Sequence, residues 1–272
     1  MIYILGLDGL EYNWVEEWNL KNLKQRQYGK LVVPINRKRG CVPVSPEVWA
    51  SFLTGEMVYG LKFETTSGFG DSLAYKIIKP FRKILPTFLR NRLKFGIGGM
   101  VSGAKTFPKL NKTTFLDETN SKAINVPYYN LDEISFDIEH KFAKGRISLK
   151  ENVQILKILF SKKCKEILKE NPRDVDIVFA YLNFPDALCH RLYVRPNLIK
   201  HHYVELDIFV EELKSIIEEE VFIIVSDHGF DLKTETHSTY GFFSSSVVLN
   251  PKPKKITDFY GIIMKDAHAH TF

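Results

Sequence analysis

The sequence predicts the α/β class, and three observations carry that prediction. Short apolar runs recur at 2–7, 176–182 and 221–225, each the length of a strand buried on both faces. Amphipathic helical stretches alternate with them, clearest at 149–167 and 197–219. Each apolar run also stops on residues that bear chemistry. These are Asp8-Gly9, the stretch N-F-P-D-A-L-C-H with Asp186 and His190, and the stretch S-D-H-G with Asp227, His228 and Gly229. In open α/β sheets, ligands sit at the carboxyl ends of strands.

In chain order, M-I-Y-I-L-G-L opens the fold as a strand. It lacks a basic leader and meets Asp8 too early for a signal peptide. Residues 13–27 read as a modest helix and 30–35 as a second strand, with Pro34 at its end or on an edge. Then comes V-S-P-E-V-W-A-S-F-L-T-G. Ser45 before Pro46 has the form of an N-cap with Pro at the first helical position, and Gly55 is the C-terminal stop. Ser45 is either that cap alone, or also a hydroxyl where a helix N-terminus attracts an anion.

Residues 56–120 lack clear periodicity, and G-I-G-G at 96–99 is not a dinucleotide fingerprint. A strand at 123–126 precedes Pro127. Ser148-Leu-Lys-Glu151 is a capping box that opens a helix with Cys164 on its apolar side. Asp186 and His190, four apart, share one side of a helical turn. They form either a structural hydrogen bond or half of a metal site. After Gly229 the expectation is a polar loop carrying His237, a strand at 245–249, a helix at 256–264, and a frayed tail with His268 and His270.

Composition narrows the function. With 272 residues and 44% apolar content, the chain builds one large α/β domain or one with an insertion. No apolar run reaches the roughly 20 residues of a membrane span. Three separated cysteines argue against a disulfide framework or a cysteine zinc site, and a cytoplasmic location follows as the default. The net charge of +6 is concentrated, because residues 72–110 hold nine Lys or Arg and no acid. Within this stretch, 72–95 is a solvated positive face, a membrane-surface segment, or a cover over a phosphate-bearing ligand.

Three strand ends therefore present Asp8, Asp186 with His190, and Asp227 with His228, followed by His237. These ligand types suit zinc, manganese or iron. With L-D-G-L, V-S-P-E-V-W-A-S-F-L-T-G, F-P-D-A-L-C-H, S-D-H-G-F and T-H-S-T-Y-G-F-F in place, the chain resembles the alkaline phosphatase superfamily. Its nucleotide pyrophosphatase/phosphodiesterase branch is the nearer likeness. The resemblance covers 2–55 and 175–260, echoes at 123–127, and leaves out 56–115. It implies a three-layer α/β/α fold with a mostly parallel central sheet, a metallohydrolase core over 1–55 and 116–272, and a basic cap inserted at 56–115.

It further implies Ser45 as nucleophile, ten residues before Gly55, and two divalent ions, zinc first and manganese or iron as alternatives. Asp8, Asp227 and His228 would hold one ion beside Ser45. Asp186, His190 and His237 would hold the other, with His268 and His270 as rivals to His237. Where this branch usually has Thr, the chain has Ser, and Cys189 replaces the Gly before the metal-binding His. The implied activity is hydrolysis of a phosphodiester or phosphoanhydride in a nucleotide or lipid diester, with no stable nucleic-acid partner. The alternatives are a phosphomonoesterase or phosphomutase on the same metals, and a non-catalytic binder of anionic lipid or nucleic acid.

Overall fold

The computed structural model describes residues 1–61, 110–132, 144–170, 174–217 and 221–269, with 138, 141, 142 and 172 besides. The basic stretch 72–95 and most of the expected insertion lie outside the described residues. The chain divides into two compact units. Met1–Leu61, Lys109–Leu131 and Ile158–Phe272 form the first, and Lys62–Pro108 with Asp132–Lys157 form the second. Every candidate site residue belongs to the first.

Among the described residues the strands are β1 (Ile2–Leu7), β2 (Gln27–Val32), β3 (Ser121–Ile124), β4 (Ile177–Leu182), β5 (Val221–Ser226), β6 (Phe230–Asp231), β7 (Thr236–His237) and β8 (Tyr240–Ser245). One sheet runs in the order β2-β8-β5-β1-β4-β3, and β6 pairs with β7 separately. β1, β3, β4 and β5 are parallel. β8 is antiparallel to β5 and to β2, so only β8 opposes the common direction.

Among the described residues the α-helices are α1 (Tyr12–Glu17), α2 (Ser45–Thr54), α3 (Phe115–Glu118), α4 (Leu149–Lys169), α5 (Phe184–Leu192), α6 (Pro196–Ile217) and α7 (Asp258–Ala269). Ile4, Phe179, Tyr181, Ile223 and Val225 face one side of the sheet, where α2 and α7 bring Trp49, Phe52, Phe259 and Ile263. Trp49 meets Tyr181 edge-on at 5.3 Å between ring centroids, and Phe52 meets Phe179 at 5.5 Å. Tyr3, Leu5 and Leu7 alternate to the opposite side and are equally buried. On that side Tyr12 of α1 packs near Phe242, and Trp14 lies edge-on to Tyr203 of α6. Helices on both faces explain why these strands are apolar throughout rather than alternating. The result is the three-layer α/β/α arrangement with a mostly parallel sheet. No helix among the described residues is long and apolar enough to cross a membrane.

Several sequence expectations shift. The helix at 13–27 is only α1. Asn19 takes a left-handed φ of 49°, Leu20 N–H returns to Val15 C=O and Asn19 N–H to Glu16 C=O, which closes a Schellman stop. Asp207 of α6 then captures the Asn22 and Leu23 amides, and β2 starts at Gln27, so Pro34 falls beyond its end. β3 lies two residues earlier than 123–126. The last strand is 240–245, not 245–249. Ser244 and Ser245 are buried at the end of β8, while Val248 is 58% exposed. α7 starts later and runs longer than 256–264. His268 falls in its last turn rather than in a tail, while its side chain and all of His270 lie outside the described residues. Leu149 and Leu198, near the starts of the two long amphipathic helices, are exposed, whereas Cys164 is buried as the spacing predicts.

Candidate metal centre

Sheet register brings the first carboxylates together. Gly6 pairs with Val225, so Asp8 and Asp227, two residues further on each strand, leave the sheet side by side on the Tyr181 face. The Tyr181 hydroxyl donates to Asp8 Oδ2 at 2.5 Å, and Gly9 N–H donates to Asp227 Oδ1 at 3.2 Å. Gly9 has φ 75°, and a Cβ there would lie 2.6 Å from Asp186 Cβ. Glycine thus lets the start of α5 close on the end of β1, where Asp186 N–H donates to Asp8 C=O at 2.9 Å.

α2 delivers the hydroxyl. Ser45 Oγ lies 3.4 Å from Asp8 Oδ1 and 3.1 Å from His228 Nε2. The same Nε2 lies 3.3 Å from Asp8 Oδ1 and 3.3 Å from Asp227 Oδ2. His228 Nδ1 faces Gly229 C=O at 3.0 Å, so a proton on Nδ1 leaves Nε2 turned toward the carboxylates. The expected cap geometry differs. Val44 is the N-cap and Ser45 the first helical residue, with no side-chain capping bond. Pro46 has no N–H, and Glu47 N–H is bonded to Val44 C=O at 2.8 Å. The helix therefore offers its dipole and Ser45's own amide, not a fan of free N–H groups.

The second group forms on α5 and β7. His190 Nε2 lies 3.2 Å from Asp186 Oδ1, and His237 Nε2 lies 3.6 Å from it. The two Nε2 atoms are 3.0 Å apart, and His237 Nδ1 faces Pro43 C=O at 3.1 Å. His237, expected in an irregular loop, is held by the β6–β7 ladder opposite Phe230.

Among the described residues, two sets of possible ligand atoms each lie within 4.8 Å of one another: those of Asp186, His190 and His237, and those of Asp8, Asp186 and His228. Asp186 thus belongs to both, whereas the sequence expectation placed it in one. Asp227, expected beside Asp8 and His228, joins through its contact with His228. Asp186 Oδ1 and Asp227 Oδ2 are buried without a hydrogen bond. Such orphaned carboxylate oxygens, with imidazole nitrogens directed at them, are groups that could hold a metal ion.

Crowding shows in the electrostatics. Burial, then the Asp8 charge, push the Asp227 carboxyl well above its usual range against the pull of His228. Burial works against a charged His228, yet Asp227 and Asp8 lift it to about 10. His237 is pushed down to about 3 by burial first and by His228 next. Burial would raise Asp186, but the three imidazoles outweigh it and hold that carboxyl below the carboxylate range.

Sequence reasoning missed Tyr181, whose hydroxyl hides in the apolar run I-V-F-A-Y-L. Its position as the last residue but one of a strand ending at the site was the available signal.

No family model matches the chain, and no curated protein matches it. Among solved structures, it is similar to the PH0037 protein of Pyrococcus horikoshii at 12% identity and TM-score 0.48, covering 100% of this chain and 98% of that one. It is also similar to murine ectonucleotide pyrophosphatase/phosphodiesterase 5 at 12% identity and TM-score 0.41, covering 84% of this chain and 57% of that one. An inactive form of the murine protein in complex with AMP gives 13% identity and TM-score 0.39, covering 84% and 56%. The chain therefore spans little more than half the length of the murine protein.

Proposed function

We propose that the chain is a metal-dependent hydrolase of phosphodiester or phosphoanhydride bonds, with Ser45 as the nucleophile. The observation that carries this reading is the position of Ser45 Oγ, 3.4 Å from Asp8 Oδ1 and 3.1 Å from His228 Nε2 at the start of α2. Asp8, Asp227 and His228 are the residues to hold one divalent ion, with zinc first and manganese or iron as alternatives. Asp186, His190 and His237 are those to hold a second, and Asp186 stands between the two. When bound, such a pair supplies Lewis-acid charge that lowers the pKa of a hydroxyl and stabilises a leaving oxygen.

The chain's own groups do the rest. Ser45 Oγ attacks phosphorus, a new O–P bond forms, and the P–O bond to the leaving group breaks in line with it. Water then cleaves the Oγ–P bond of the serine phosphodiester, releasing the rest of the substrate as a phosphomonoester and returning a proton to Oγ. The α2 dipole favours the anionic group at its N-terminus. Tyr181 fixes the Asp8 carboxylate, so the geometry beside Ser45 is set before substrate arrives. The substrate class is a small phosphate ester, either a nucleotide or a lipid diester.

The test is hydrolysis of bis(4-nitrophenyl) phosphate after chelation and readdition of zinc or manganese. Activity should vanish on chelation and return with metal. Ser45→Ala should lose at least about 1,000-fold in kcat. Activity equal to the wild type in Ser45→Ala would reject the nucleophile assignment.

A further inference from the structure

Glu11 is not among the candidate ligands, yet it is 2% exposed and its carboxylate accepts four hydrogen bonds. Oε1 accepts from Asn13 N–H at 3.0 Å and from the Tyr240 hydroxyl at 2.6 Å. Oε2 accepts from Phe230 N–H at 3.0 Å and from the Ser238 hydroxyl at 2.6 Å. All four donors are neutral. Capping α1 accounts for the Asn13 bond alone, and a shorter side chain would serve that purpose.

The other three bonds reach the segments that carry the imidazoles. Phe230 follows His228 by two residues, Ser238 follows His237 directly, and Tyr240 opens β8 just beyond. Glu11 itself follows Asp8 by three, and its N–H donates to the Tyr203 hydroxyl at 3.0 Å, which donates to Gly9 C=O at 3.2 Å. The fit is close, since a Cβ on Gly229 would fall 2.0 Å from Glu11 Oε2.

We propose that Glu11 is a positioning residue of the metal centre: one buried carboxylate binds the His228 and His237 segments to the end of β1 and so sets the spacing of the two ligand groups. The inference rests on reading those groups as metal ligands. Groups that hydrogen-bond a metal's ligands typically govern its affinity by about 10–100-fold, and Glu11, which holds the ligand-bearing segments through Phe230, Ser238 and Tyr240, belongs at the lower end of that range.

Zinc affinity decides it, measured on the chelator-stripped full chain by competition with a chromophoric chelator. In folded Glu11→Gln, which keeps the shape but loses the charge and an acceptor, zinc should bind at least about tenfold more weakly than in wild type. A folded variant with zinc affinity within twofold of wild type overturns the proposal, and so does lower thermal stability with that affinity intact. If Glu11→Gln does not fold, Ser238→Ala with Tyr240→Phe removes two donors and leaves the charge. A fivefold weaker zinc affinity there supports the role, and an unchanged one overturns it. Wild-type protein that binds no zinc overturns the metal reading itself, and Glu11's role with it.

Discussion

The imidazoles of His228 and His237 lie face to face, 3.7 Å between centroids and 10° between planes. His228 stands with Asp8 and Asp186, and His237 with Asp186 and His190, so the two candidate ligand groups share a wall. Neither imidazole can be removed without opening its own side of that wall.

Metal content should report this directly. Wild-type protein is expected to retain two zinc ions per chain by elemental analysis after gel filtration. His237→Ala and His228→Ala are each expected to retain about one. Two ions in either variant would show that its imidazole is not a ligand.

Tyr181→Phe removes the 2.5 Å bond to buried Asp8 and leaves a carboxylate oxygen without its donor. The expected loss is about 1–3 kcal/mol in unfolding free energy. Chemical denaturation of the metal-stripped protein measures it, and an unchanged midpoint would contradict the structural role given to Tyr181.

Much of this cluster of carboxylates and imidazoles is readable from sequence because strand ends announce themselves. Asp8, Asp227 and His228 follow apolar runs that admit few alternatives, and Asp186 with His190 follows a third. What escaped depends on contacts made at long range. Only its place one residue before the end of β4 sets Tyr181 apart from other strand aromatics, and nothing local marks Glu11 as interior. β8 was misplaced because Ser244 and Ser245 are polar by type and become strand residues only through pairing with β5 and β2. The helix at 13–27 was overextended because the capture of the Asn22 and Leu23 amides comes from Asp207, some 185 residues away.

Acid should act on α3 with a defined sign. Burial would raise the Asp117 carboxyl, but hydrogen bonds from Thr114 and Tyr129 outweigh it and hold it below the usual value. With a folded pKa beneath the unfolded value of about 3.9, the stabilisation is present above about pH 4. It is lost as pH falls through the folded value. Asp117→Asn should therefore be less stable than wild type at pH 7, with a smaller deficit at pH 2. The same deficit at both pH values would contradict the assignment.

Crystals grown with zinc and measured on both sides of the zinc absorption edge test the central claim most directly. Two anomalous peaks are predicted, one beside Asp8, Asp227, His228 and Ser45, the other beside Asp186, His190 and His237. Peaks absent from this pocket, with Ser45 remote from any metal, would contradict it.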